Sequence, residues 1–462
     1  MTNDQVGAIL DEGPSDWQII QQGYSRSGRL ELKGHWVSDT PGVVQVRLAH
    51  EDTSVSLNTR LDWHTARMNA DHTWSDTLED IPAGGLYRLE TRFNFAGNLA
   101  GEWSTRGDMR HFLGVGDLWV LAGQSNSAGY GRGPIYDPPE LGVHLYRNSE
   151  QWALATHPLN ESTDTQHAVN RENANSGHSP YLHFARLLKQ ELHHPIGLVQ
   201  AALGGSALAP WNPTETKSAV LFNNMVHCVQ RVGGAVKGIL WYQGESDTDS
   251  DICNTYARRF DQAVCAWREA LGEPDLPVIV VQLNRVRQPA TPDADRRWTT
   301  LREAQRQAPR LTRHVAVVPT LDLPLSDGIH NSPAANMLMA ERLARAALGM
   351  VYGKPIDYLA PEVRSAKRLE GGTLIELSFA NVKSRMDTID PTANCFRVED
   401  EQGVVPVKQV LYPGDFTVRL ALARTLTGIA TVHGAYGIDP AIAPMDMERF
   451  IPMLGFAGLQ VN

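Results

Sequence analysis

Two kinds of hydrophobic patterning follow one another along the 462-residue chain. From Trp17 to about His111, apolar and polar residues alternate in short runs, as in Val-Val-Gln-Val-Arg-Leu at 43–48 and Tyr-Arg-Leu-Glu-Thr-Arg-Phe at 87–93, separated by Gly, Asp and Asn. A period of two puts every second side chain on one face of a strand, so this stretch predicts a β-sandwich. The centre differs, with near-continuous apolar runs at 118–122, 196–202, 239–242, 278–283 and 315–319. Helical segments lie between them: Ser-Pro opens one over 179–192, Gly272 closes one over 254–271, and Asn-Ser-Pro precedes one over 334–348. Strands apolar on both faces and joined by helices predict a parallel sheet. After Pro355 the alternation returns at 373–379, 416–422 and 429–432. The expected division is a β-sandwich-like region 1–112, an α/β region 113–354 and an all-β region 355–462. The stretch from 131 to 177, rich in Asn, Pro and Ser, reads as irregular covering of the active face.

Charge narrows the function classes. With 42 Lys and Arg against 52 Asp and Glu, the formal net charge is −10, which offers no basic field for nucleic acid or an anionic membrane. No run of about 18 apolar residues predicts a membrane span. The opening Met-Thr-Asn-Asp lacks the basic region and apolar run of a secretory signal, which predicts a soluble cytoplasmic protein as written, or a secreted or periplasmic one whose signal has been removed. Cys228, Cys253, Cys265 and Cys395 form no C-x-x-C pair and no zinc-like grouping, so no metal is expected. Three of them lie on expected helices and read as buried thiols.

In a parallel sheet the binding site lies beyond the carboxyl ends of the strands, so chemistry is sought directly after each apolar run. Four loops qualify. Gly-Gln-Ser-Asn at 123–126 exposes a serine hydroxyl at a strand end, and the Ser125 backbone N–H can face a developing oxyanion. The plainer reading of Ser125 is a helix N-cap. Leu-Gly-Gly-Ser at 203–206 lets backbone approach a ligand, or simply makes a turn. Trp-Tyr-Gln-Gly-Glu-Ser at 241–246 gathers groups that need partners at the end of a buried strand, or forms a solvated turn. Asp-Gly-Ile-His at 327–330 supplies a base and the carboxylate that holds its tautomer. Asp108/His111 and Asp164/His167 share that spacing, but Asp108 precedes the sheet and Asp164 sits in the irregular stretch.

Taken together and in this order, these loops resemble the sialate O-acetylesterase and acetylxylan esterase-like branch of the SGNH hydrolases, over about half of the chain. The resemblance implies a flavodoxin-like, doubly wound α/β fold with a five-stranded parallel sheet, flanked by the two all-β regions. It implies Ser125 as nucleophile, His330 as general base and Asp327 as its orienting carboxylate. The oxyanion donors implied are the backbone N–H groups of Ser125 and Gly205 and the side chain of Gln243. Asn126 and Glu245 are expected behind them, with Glu245 bracing its loop or orienting the histidine. Many relatives carry methionine where this chain has Ser127, a position expected at the active-site rim.

The reading that follows is hydrolysis of acetyl esters on sugar hydroxyls without a metal or organic cofactor, the partner being an acetylated carbohydrate. Trp211 and Trp241 offer stacking faces for a sugar ring, against the commoner reading of tryptophan as packing. An aryl or lipid esterase on the same scaffold is the alternative within enzymes. Against it stand the lack of a long apolar lid and the polar stretch 160–178. From another class, a carbohydrate-binding protein without activity leaves the set Ser125, Gln243, Asp327 and His330 unexplained. The particular sugar and the oligomeric state are not legible in the sequence.

Overall fold

The computed structural model describes residues 7–98 and 104–462; the opening Met-Thr-Asn-Asp lies outside the described residues. All five apolar runs of the central region form parallel strands: Thr105–Gly123, Ile196–Gln200, Gly238–Tyr242, Val278–Val281 and Val315–Val318. Their spatial order puts Thr105–Gly123 between Ile196–Gln200 and Gly238–Tyr242, with the other two following outward. The sheet is not five-stranded, however. Val143–Tyr146 adds a sixth parallel strand beside Ile196–Gln200, and Trp152–Leu154 an antiparallel edge. Both lie in the stretch expected to be irregular. The sixth strand escapes pattern reading because a histidine interrupts its apolar run, yet all four side chains are buried.

Helices cover the sheet. Tyr181–Leu192 packs with Pro333–Ala346, and Tyr256–Leu271 packs with Val220–Arg231 and Pro292–Leu311. As the sequence indicated, Gly272 closes Tyr256–Leu271 in a left-handed conformation, φ +67°. No described helix is long and apolar enough to cross a membrane. The cysteines are free thiols: Cys228, Cys253 and Cys395 are buried, but Cys265 faces solvent on its helix, contrary to the expectation for the helical thiols.

Before the central sheet, alternating strands make two layers. One is a four-stranded sheet containing Ser27–Val37 and Thr73–Pro82. The other pairs Gly42–His50 with Gly84–Phe95 and continues into the 19-residue strand Thr105–Gly123. Leu32 and Trp74 from the first meet Val44, Val46, Leu89 and Phe93 from the second in one apolar cluster. Position 112/113, where a division was expected, thus falls inside a single strand whose first half is antiparallel and whose second half joins the parallel sheet. After residue 361, alternating runs build an eight-stranded sheet over its own core, including Leu377, Val418 and Val432.

Candidate active site

All four loops converge at the carboxyl edge of the parallel sheet, and hydrogen bonds stitch each to its neighbour. Ser125 is the first residue of a one-turn helix, Ser125–Ala128; Gln124 holds the N-cap position, so capping does not explain the serine. Gly123 has φ +126°, and a Cβ there would lie 2.1 Å from the Tyr242 carbonyl oxygen, so only glycine lets the two strands end this close. The Gln124 side-chain oxygen accepts the backbone N–H groups of Gly244 and Ser246, both at 3.2 Å. Ser246 Oγ donates to the Gly205 carbonyl at 3.0 Å.

Asn126 ties the serine to the histidine. Its Nδ2 donates to Glu245 Oε1 at 2.8 Å and to the Ile329 carbonyl at 3.3 Å, while its Oδ1 accepts the Asn331 N–H at 3.0 Å. The residue after Ser125 is therefore bonded to both chain neighbours of His330. Asp327 Oδ2 lies 2.7 Å from His330 Nδ1, and its Oδ1 accepts the N–H groups of Ile329 and His330 at 2.8 and 2.7 Å. Burial works to raise the Asp327 carboxyl, but these N–H donors and the imidazole outweigh it and hold it below the ordinary range. An ionised Asp327 accepting Nδ1–H leaves His330 Nε2 as the basic atom. No hydrogen bond joins Glu245 to the imidazole among the described residues: its Oε1 accepts from Asn126, its Oε2 is buried without a partner, and burial pushes its carboxyl up.

The backbone N–H groups of Ser125 and Gly205 have no hydrogen-bond partner among the described residues. Gly205 has φ +68°, with open space where a Cβ would point. Gln243 is different. Its amide is fully buried and donates to Asp247 Oδ2 at 2.7 Å and the Ser206 carbonyl at 3.1 Å, while its oxygen accepts from Tyr256 at 2.9 Å. Both amide hydrogens are already committed, so the expected oxyanion role does not fit this geometry. Trp211 and Trp241 are also wholly buried, edge to face with centroids 5.3 Å apart, and present no face to a sugar. Ser127 is not at the rim: its hydroxyl is buried against the Ala122 carbonyl and the Tyr181 hydroxyl.

The competing pairs come apart. Asp108 binds the Leu10 N–H while His111 faces Glu51, and His167 lies 3.0 Å from Glu150. One residue near the centre had no signal in the sequence. Tyr130 stacks on the His330 ring, centroids 5.1 Å apart, and its hydroxyl donates to Glu172 Oε1 at 2.7 Å. Glu172 in turn presses on Gly204, where a Cβ would meet its Oε1 at 2.2 Å. Neither Tyr130 nor Glu172 belongs to one of the four loops; only folding brings positions 130, 172 and 204 together.

Known proteins share this arrangement of chain. A protein of Arabidopsis thaliana named "Probable carbohydrate esterase" is 31% identical over 256 residues, covering 50% of this chain and 90% of that protein. Sialate O-acetylesterase of Mus musculus is 22% identical over 436 residues, covering 74% and 75%. The crystal structure of a carbohydrate acetylesterase from Xanthomonas citri superposes with a TM-score of 0.66 at 21% identity, covering 96% of this chain and 97% of that one, so the fold extends beyond the central region. The chain is a carboxylic ester hydrolase. The model of the family "Carbohydrate esterase, sialic acid-specific acetylesterase" matches residues 115–349, just over half of the chain, and the chain belongs to that family.

Proposed function

We propose that the chain removes acetyl groups from sugar hydroxyls by attack of Ser125 on the acyl carbon. The observation that carries this reading is the Asn126 clasp on both sides of His330, with Asp327 on Nδ1. It supports His330 Nε2 taking the Ser125 proton and returning it to the departing sugar oxygen; water then repeats the sequence on the acetyl-enzyme. The free N–H groups of Ser125 and Gly205 would meet the oxyanion of each tetrahedral intermediate. Gln243 is left out of this set, and Asn126 and Glu245 act as positioning residues.

The relatives' names favour an O-acetylated sialic acid or another acetylated carbohydrate as substrate. Acetate release from both kinds, measured with wild type and Ser125→Ala, tests the reading. The expected result is release by wild type alone, with the variant folded, because loss of one hydroxyl opens no large cavity. Undiminished release by Ser125→Ala would overturn the covalent mechanism.

A further inference from the structure

Two clusters of histidine and carboxylate lie outside the catalytic loops among the described residues, and they differ in what their nitrogens are left to do. In the first, Asp137 Oδ2 accepts from His157 Nε2 at 2.8 Å and from His178 Nε2 at 3.2 Å, while Asp137 Oδ1 faces Arg186 at 3.0 Å. Asp137 is almost wholly buried, Arg186 is largely so, and His157 Nδ1 is buried without an acceptor. A cation there would sit against a guanidinium that water cannot screen, on a ring whose second nitrogen has nowhere to donate. This cluster is a closed set of hydrogen bonds.

The second joins three distant segments. Glu150 stands in the turn between Val143–Tyr146 and Trp152–Leu154, His167 precedes the short helix Ala168–Asn170, and His227 lies on the helix Val220–Arg231. Both imidazoles bring Nε2 to the same oxygen, Glu150 Oε1, His227 at 2.8 Å and His167 at 3.0 Å. The rings meet edge to face, centroids 5.1 Å apart. Oε1 serves His227 as a hydrogen-bond partner, but His167 Nε2 is off that line, buried, and without a hydrogen-bond partner among the described residues. A buried nitrogen left unbonded costs stability, and a metal ion is one partner that would satisfy it.

The spacing suits such an ion. Donors held at about 2.0–2.1 Å in a tetrahedron lie about 3.3 Å from one another. Glu150 Oε1 and the two Nε2 atoms, all within 4.8 Å of one another, need only small side-chain movements to share one ion. Neither Nδ1 here is buried without an acceptor. Arg231 approaches the other carboxylate oxygen, Oε2, at 3.3 Å, which leaves Oε1 to the ion and fixes the carboxylate's orientation. Its side chain is 57% exposed, so water screens its charge. His227, about half exposed, opens the fourth position to solvent.

We propose that Glu150, His167 and His227 bind one divalent transition-metal ion, Zn²⁺ by the fit of two imidazoles and a carboxylate to four-coordination, with water in the fourth place. The ion clamps the cover of the active face, 148–172, onto the helix Val220–Arg231. That cover includes Asn170, whose Nδ2 donates to the Ala201 carbonyl, and Glu172, which holds Tyr130 on His330. The cysteines, on which the expectation of no metal rested, take no part, and no step of the proposed serine chemistry passes through the ion.

Calorimetric titration of the metal-free chain with ZnCl₂ in a non-chelating buffer tests the site. Wild type should bind one Zn²⁺ per chain and ignore Mg²⁺, which prefers oxygen donors. His167→Ala and His227→Ala should each weaken binding about tenfold or more, since even the outer partners of a metal ligand are worth about 10–100-fold. Alanine is a good helix former at the half-exposed position 227, so the metal-free melting temperature of His227→Ala should stay within a few degrees of wild type. His35→Ala, which alters an exposed histidine beside Asp11, should bind as wild type does. Zn²⁺ should slow amide hydrogen exchange in 148–172 in wild type and not in His227→Ala. No binding, binding that survives His167→Ala or His227→Ala, or binding lost in His35→Ala overturns the site; binding with unchanged exchange in 148–172 overturns the clamp. Acetate release plays no part in these readouts, so their failure leaves the esterase reading standing.

Discussion

At the scale of single residues, Gln243 separates what a motif names from what it does. Its amide donates to Asp247 and Ser206 and accepts from Tyr256, all in the buried interior. Gln243→Ala strands those partners, and each unsatisfied buried group costs about 1–3 kcal/mol. The expected outcome is a loss of roughly 2–4 kcal/mol in unfolding free energy, with kcat per titrated serine within a few-fold of wild type. Denaturant unfolding beside active-site titration checks both, and a folded variant slowed a hundredfold would restore the oxyanion role. Asn126 should behave in the opposite sense. Removing its side chain frees the Ile329–Asn331 segment from the serine helix, and misplacing a base by about 1 Å costs about 10²-fold in rate. Asn126→Ala is therefore expected to lower kcat by about that factor with KM little changed, measured per titrated site.

At the scale of elements, the site depends on how two strands end side by side. Thr105–Gly123 and Gly238–Tyr242 pair through Gly123 and Tyr242, and the loop carrying Ser125 leaves from that pair. Gly123→Ala must accommodate a Cβ 2.1 Å from the Tyr242 carbonyl oxygen at φ +126°. Strain of this kind costs of order 1–3 kcal/mol even before the strands are forced apart. The prediction is a lower melting temperature together with lost acetate release; wild-type activity in Gly123→Ala would mean that the strand ends do not set the serine's position. The five strands of the central apolar runs were legible because burial on both faces leaves continuous apolar stretches. Val143–Tyr146 was not: its register beside Ile196–Gln200 is set by a neighbour 53 residues away, and His144 breaks the run.

At the scale of the whole molecule, buried polar groups join regions whose sequences look independent. Arg302 has no exposed surface, and its guanidinium donates to the carbonyls of Leu283 and Asn284 in the central region and of Ala435 and Gly437 in the carboxyl-terminal one. His144 plays a similar part near the amino terminus. It lies 2.7 Å from the Trp17 carbonyl through Nδ1, while its Nε2 accepts the Gly142 N–H, a pairing only the neutral ring can make. Burial accordingly lowers its pKa from 6.5 to about 4. The unfolded chain binds the proton more readily, so this group leaves stability unchanged above pH 6.5 and removes it as pH falls towards 4. At about 1.4 kcal/mol per pH unit the loss reaches roughly 3 kcal/mol. His144→Gln should flatten that part of the acid dependence; urea midpoints at pH 7.5 and 4.5, compared with wild type, measure it, and parallel profiles would show that another group is responsible.

The sequence by itself determined the alternation of strand and helix, the order of the four loops, and the residue types that the proposed ester chemistry calls for at Ser125, Asp327 and His330. Those properties are local: hydrophobic period, turn-forming residues and reactive groups can all be read within a few positions. Only the tertiary structure decided that Asn126 bonds across 200 positions to the neighbours of His330, that Tyr130 stacks on that ring, and that the Gln243 amide and both tryptophans turn inward. Which way a polar side chain points depends on the donors and acceptors that distant segments bring to it, and no local pattern carries that information.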